Sequence, residues 1–190
     1  MRSTFRNIAI ISFALLFLVF AGIMMSVSTK TLEVAEYPLD YKDIVYKAAE
    51  KYDVPVSVIY AVIKTESKFD TNAESYVGAR GLMQLMEISY EWIDSVRGVS
   101  GASWNDFYEP EINIDYGTWL LRYLYDKFGS WETVYAAYNA GMTKIGKWLK
   151  NPEYSDDGIN IKNYPSKSVS EYVEKVSSNR KGYMSAYDFN

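Results

Sequence analysis

Apolar residues recur at intervals of three and four along most of this chain, a period that predicts helices and little else. Asp40 reads as an N-cap ahead of a stripe made by Ile44, Val45, Ala48, Ala49 and Tyr52. The segment Pro55 to Phe69 carries Ile59, Val62, Ile63 and Glu66 at i, i+3, i+4 and i+7, with Pro55 in the first turn, where a missing N–H costs least. Asp70 to Arg80 has no period and contains Gly78, so it is predicted to be a loop. Gly81 then opens a third helix marked by Leu82, Leu85, Met86, Trp92, Ile93 and Val96, and Gly98 to Glu111 forms a second loop. Ile114, Gly117, Leu121, Leu124 and Phe128 keep helical spacing until Gly129 ends the run. Ser130 is expected to cap Trp131 to Asn139, Gly141 to break that helix, and a short helix to follow from Thr143 to Leu149. After a polar loop from Asn151 to Pro165, Ser168 and Glu171 read as an S-x-x-E capping box ahead of Tyr172, Val173 and Val176. No period-2 strand, internal repeat or low-complexity tract appears, so the fold class is all-α.

The N-terminus obeys a different rule. No charge occurs from Asn7 to Thr29, and Ile8 to Val27 is apolar apart from Ser12, Gly22 and Ser26. Twenty helical residues span about 30 Å, the hydrocarbon thickness of a bilayer. Arg2 and Arg6 precede the run, which puts the N-terminus in the cytoplasm and everything after residue 29 outside. A transmembrane anchor is the expectation, with a single pass and an extracytoplasmic domain. A cleaved signal ending near Ser26-Val27-Ser28, which would release a secreted protein, is the competing reading. The expected organisation is an anchor at 1–29, a linker at 30–39, a helical domain at 40–180 and a tail at 181–190.

Composition narrows the chemistry. The 190 residues include no histidine and no cysteine. Ser-His-Asp and Cys-His catalysis, imidazole- or thiolate-bound zinc, iron–sulfur centres, disulfides and a lipoprotein anchor are therefore closed to this chain. No cofactor and no metal are expected. Setting aside Arg2 and Arg6, 18 basic residues face 24 acidic ones, which argues against nucleic acid as a partner. What is left runs through carboxylates, tyrosines, hydroxyls and amides.

Among the carboxylates Glu66 stands apart, because it is the one charged member of an otherwise apolar stripe. Burial there disfavours the ionised form and raises the pKa, as a general acid working near neutral pH requires. A structural carboxylate satisfied by backbone amides is the plain alternative. The strings TESKFDTNAES, GARGLMQLM, AAYNAG and EYVEKV follow one another in that order. Together they resemble the catalytic domain of the soluble lytic murein transglycosylases, a lysozyme-like family that cleaves peptidoglycan glycan strands. The resemblance covers about Asp40 to Val176 and implies a lysozyme-like fold related to goose-type lysozyme.

By that resemblance Glu66 is the catalytic acid and Ser75 faces the sugar beside it. Gln84 and Met86 line the glycan groove, Ala137, Tyr138 and Asn139 close it from the far side, and Tyr172 belongs to the C-terminal string. Departures occur where the family has E-T-R and this chain has Ser168-Val169-Ser170, and where a family proline is Glu87, expected to face solvent. The resemblance implies cleavage of the β-1,4 bond between N-acetylmuramic acid and N-acetylglucosamine, with the sugar's own N-acetyl group assisting and a 1,6-anhydro ring as product. A hydrolytic muramidase and a non-catalytic, glycan-binding scaffold of a wall-spanning machine are the two other readings. Which wall or secretion machinery would be the partner is not written in the residues.

Overall fold

The computed structural model describes residues 16–25, 34–98 and 102–189. Every regular element among them is helical, and from residue 42 on these are α1 (Lys42–Tyr52), α2 (Val56–Glu66), α3 (Glu87–Arg97), the 3-10 turn η1 (Trp104–Tyr108), α4 (Pro110–Phe128), α5 (Trp131–Ala140), α6 (Met142–Leu149) and α7 (Lys167–Ala186). Extended pairing is limited to two isolated bridges, Glu74 with Arg80 and Arg80 with Leu85.

α2 is the axis of the domain. Val58 to Ile63 are wholly inaccessible, because α1 covers one side of the helix and α7 the other. A helix apolar all round belongs in the middle of a bundle, and this one lies there. α4 packs on α1 and α5, and α5 in turn packs on α7, which closes the ring. Leu85, Ile93, Phe107 and Tyr116 form a second, smaller core where α3 and η1 lean on α4.

Several helix ends differ from the sequence expectation. α1 is not capped by Asp40: Tyr41 occupies the N-cap in the left-handed region at φ 59°, with no side-chain cap bond. α2 stops at Glu66, short of Phe69, since Lys68 and Phe69 both adopt positive φ. Ser130 takes the N-cap position of α5 without a side-chain cap bond, its hydroxyl turning to Glu132 instead. The capping box expected at Ser168 does not form either. α7 has already begun at Lys167, with Ser166 as N-cap, and Glu171 pairs with Lys167 at 3.3 Å one turn away.

The larger correction concerns residues 81–86. Leu82 and Leu85 are buried as expected, and so is Met83, but all three lie in an irregular turn, and α3 begins only at Glu87. Arg80 and Leu85 exchange both backbone hydrogen bonds, at 2.9 and 3.1 Å, and Gln84 adopts φ 47°. Those commitments take the amides that a helix would use.

The boundary expected at residue 180 falls inside α7, which continues to Ala186 because Tyr183 is fully buried against Tyr60 and Tyr37. Tyr37 and Leu39, assigned to the linker, likewise pack on the main core. Of the apolar run Ile8 to Val27, residues 16–25 are helical with exposed side chains, and the remainder lies outside the described residues. Among the described residues no helix is long and apolar enough to cross a membrane.

Candidate active site

Glu66 closes the last turn of α2, so its side chain leaves the apolar stripe just where the helix ends. The residue keeps a partial opening to solvent, yet protein atoms crowd its carboxyl group. Burial pushes the acid up to about 7, against the opposing pull of the Tyr172 hydroxyl and the Lys175 ammonium. Tyr172, from α7, donates its hydroxyl to Glu66 Oε1 at 2.5 Å. Lys175 lies one turn further along α7 and reaches the Thr65 carbonyl at 3.4 Å. Asn179 bonds the Thr65 hydroxyl at 2.9 Å, so three residues of α7 hold the end of α2 in register.

Tyr138, from α5, feels the charge of the same carboxyl. Burial, and then the charge of Glu66, push its phenol well above the ordinary tyrosine value, and the same two causes act on Tyr172. Both rings are therefore neutral donors over the working range of Glu66. Tyr138 gives its proton to the Met83 carbonyl at 2.8 Å, which ties α5 to the turn at 81–86.

That turn is built around a side chain the sequence reading did not single out. Asn113, fully buried near the start of α4, accepts from the Met83 N–H at 2.7 Å and donates to the carbonyls of Arg80 and Phe107 at 2.9 and 2.8 Å. One amide thus serves two buried backbone groups, the Met83 N–H and the Phe107 carbonyl, and adds a second partner to the Arg80 carbonyl, which already accepts from Leu85. Gly81 lies against it at φ +73°, and a Cβ there would run into the Phe107 carbonyl and the Asn113 amide. Glycine alone meets both demands. An amide interrupting the apolar α4 pattern beside Ile114 was the signal available in the sequence.

The expected groove residues fall into two groups. Gln84 belongs to the turn and donates its amide to the carbonyls of Ala73 and Gly81 at 2.9 and 3.0 Å. Ser75 sits in the preceding loop, where its hydroxyl oxygen accepts the Ala79 N–H at 2.9 Å and its O–H proton is available to donate. Met86 is the half-buried N-cap residue of α3. Ala137 is buried, and Asn139 is exposed in the last turn of α5. Among the described residues, no hydrogen bond joins Ser75, Met86, Ala137 or Asn139 to Glu66. Contact with the carboxyl is made by Tyr172, while Tyr138 acts on it electrostatically. Glu87 is exposed in the first turn of α3, as expected. Met83 is fully buried core against Gly117.

A buried acid poised near neutrality, bonded by one phenol and electrostatically coupled to a second, is equipped to protonate a leaving oxygen and later to take a proton back. Among the described residues no group of three or more acidic residues is arranged to hold a metal ion.

Residues 43–161 match the family model described as the transglycosylase SLT domain. The soluble lytic murein transglycosylase of Escherichia coli K12 is 32% identical over 144 residues, covering 74% of this chain and 22% of that protein. Membrane-bound lytic murein transglycosylase C of Edwardsiella ictaluri is 31% identical over 169 residues, covering 75% of this chain and 46% of that protein. The chain thus spans well under two thirds of the length of these curated relatives. Among solved structures, the 70 kDa soluble lytic transglycosylase of Escherichia coli superposes with a TM-score of 0.70 at 30% identity over 78% of this chain and 25% of that one. A lytic transglycosylase Slt from Pseudomonas aeruginosa, an inactive mutant, does so with a TM-score of 0.68 at 26% identity over 80% of this chain and 26% of that one.

Proposed function

The chain belongs to the transglycosylase SLT domain family, and from that premise we propose that it is a peptidoglycan lytic transglycosylase with Glu66 as its one acid and base. The observation that carries the proposal is the environment of Glu66: an acid raised to about 7 by burial, with the Tyr172 hydroxyl at 2.5 Å. At neutral pH such a group exists in both forms, as a residue that must first give and then take a proton requires.

In the proposed reaction, protonated Glu66 donates to the oxygen linking N-acetylmuramic acid to N-acetylglucosamine. As the C1–O bond breaks, the N-acetyl oxygen of the muramyl residue takes up the electron deficiency at C1. Glu66, now a carboxylate held by Tyr172, removes the proton from the 6-hydroxyl, whose oxygen bonds to C1 and closes the 1,6-anhydro ring. The acid is restored and no water is consumed. Ser75 is suited to donate to the acetamido group, because its oxygen already accepts a backbone N–H. Gln84, Met86, Ala137, Tyr138 and Asn139 are assigned to the walls of the groove.

The tethered 6-hydroxyl has an advantage over water, since well-placed intramolecular groups act at effective molarities of about 10⁵–10⁸ M. Digestion of purified peptidoglycan is therefore expected to yield muropeptides lighter by one water than hydrolysis products and inert to borohydride. Hydrated, reducible ends would identify a muramidase instead, and binding without new ends a scaffold.

The apolar run ahead of the domain, preceded by Arg2 and Arg6, is assigned to a membrane anchor that holds this activity outside the cytoplasm. The packing of Tyr37 and Tyr183 favours a catalytic domain reaching from the mid-thirties through α7. Cell fractionation with detection of the full-length chain in the membrane tests the anchor. A soluble species starting near Thr29 would identify a cleaved signal.

A further inference from the structure

Residues 34–39 lead into the domain as a short strap, and what they touch is the scaffold of the acid. Lys64, two residues before Glu66 in the last turn of α2, donates to the Glu36 carbonyl at 2.8 Å and pairs with the Glu36 carboxylate at 3.7 Å. The same ammonium lies 3.6 Å from the centre of the Tyr37 ring. Its side chain is only 19% exposed, and an amine so placed needs those partners. From α7, Tyr183 donates to the Pro38 carbonyl at 3.0 Å, and Tyr187 to the carbonyls of Tyr37 and Val34 at 2.7 and 3.3 Å. The Tyr37 ring fills a notch over Gly182, where a Cβ would overlap it, and meets Tyr183 edge-on at 5.1 Å. Tyr183 stacks in turn on Tyr60 of α2 at 5.2 Å. One stripe of α7 therefore has two tasks. Tyr172, Lys175 and Asn179 hold Glu66 and Thr65, and the following turns, at Gly182, Tyr183 and Tyr187, hold the strap.

We propose that residues 34–39 are a positioning strap for Glu66, which clamps the last turn of α2 onto α7 through Tyr37 and Lys64 and so keeps the acid in its buried setting against Tyr172. The inference rests on the reading of Glu66 as the acid of a lytic transglycosylase. The turn that carries Glu66 needs such a clamp, because α2 ends there and Lys68 and Phe69, both at positive φ, lead the chain away. No further helical turn steadies it, so contacts from the side must. The groups that act on the carboxyl are Tyr172 and Lys175 of α7 and Tyr138 of α5, and none belongs to the strap. The strap therefore works by placement. Of the influences on Glu66, burial is the largest and the Tyr172 hydrogen bond opposes it. A carboxyl released from α7 gains water and loses that bond together, and the larger influence decides the sign: its proton affinity falls.

The test compares the full chain with Gly182→Ala, Tyr37→Ala and the double variant, each isotope-labelled at its glutamate carboxyls and titrated by NMR. The Glu66 resonance is the one that vanishes in Glu66→Gln. Alanine is the better helix former, so a loss in Gly182→Ala traces to the displaced Tyr37 ring and not to α7 itself. In both single variants Glu66 is expected to titrate below about 7, towards its ordinary 4.5. On purified peptidoglycan their kcat is expected to fall roughly tenfold with KM unchanged, within the roughly 10²-fold that an ångström of misplacement can cost. The double variant should be no worse than Tyr37→Ala alone, because the added methyl then meets no ring. Wild-type titration and kcat in both single variants would overturn the proposal, even with a loss of stability in urea, since the strap would then only pack. Additive losses in the double variant would overturn it too, by showing that Gly182 and Tyr37 act separately. Failure of the underlying reading looks different: wild type then produces no anhydro ends, while the titration still decides whether the strap keeps Glu66 in its buried setting.

Discussion

Replacing Glu66 by Gln keeps the side chain's shape and its contact with Tyr172 while removing the titrating proton, so it separates catalysis from folding. In the folded protein the acid lies at about 7, against 4.5 when unperturbed. The folded pKa is raised, so between those values the folded state binds more protons than the unfolded chain, and stability falls as pH rises through that window. At 1.36 kcal/mol for each tenfold change in proton affinity, the full difference above pH 7 is about 3 kcal/mol, and about 2–3 kcal/mol once the partial opening to solvent is considered. Glu66→Gln carries no such penalty. Its stability advantage over wild type is expected to grow by that amount between pH 4 and pH 8, read as the difference in urea-unfolding free energies at each pH. Turnover should fall by at least about 10²–10⁴-fold, the usual worth of a general acid–base group. A stability difference independent of pH, or a variant with near-normal turnover, would refute the reasoning, most plainly if Glu87→Gln abolished activity instead.

Wild-type kcat/KM is expected to decline as pH rises through about 7, where Glu66 loses the proton it must donate. Tyr172→Phe removes a hydrogen bond that favours the ionised form, so this alkaline limb should move to higher pH; a limb that stays put would deny the coupling. Asn113→Ala strips the partner from two buried backbone groups, Met83 N–H and the Phe107 carbonyl, and is expected to lower unfolding free energy by about 3 kcal/mol, with a loss below about 1 kcal/mol counting against the role assigned to it. Dialysis against a chelator should leave turnover unchanged, since the chain offers no imidazole or thiolate ligand; loss with rescue by a divalent ion would contradict this.

The sequence by itself determined the helical class, the position of nearly every helix, and the oddity of Glu66, because these are local signals. A 3.6-residue period and a single carboxylate in an apolar stripe can be read within one or two turns of chain. It also determined the family, through four short strings in order, and excluded whole classes of chemistry through the absence of histidine and cysteine. Tertiary structure decided the rest. The 81–86 segment carries helix-like apolar spacing yet folds as a turn, because its amides and carbonyls are claimed by Asn113 from 30 residues away in α4 and by Arg80 across the bridge. The partner of Glu66 comes from 106 residues further along, and no periodicity links Tyr172 to it. Helix ends were misread for the same reason: Asp40 and Ser168 have the chemistry of caps, but packing set where α1 and α7 begin. The pKa of Glu66 belongs to this second class as well. An apolar stripe states only that one side of a helix is buried; how far a carboxyl at its end loses water depends on the residues packed around it, α7 among them, which only the folded chain settles.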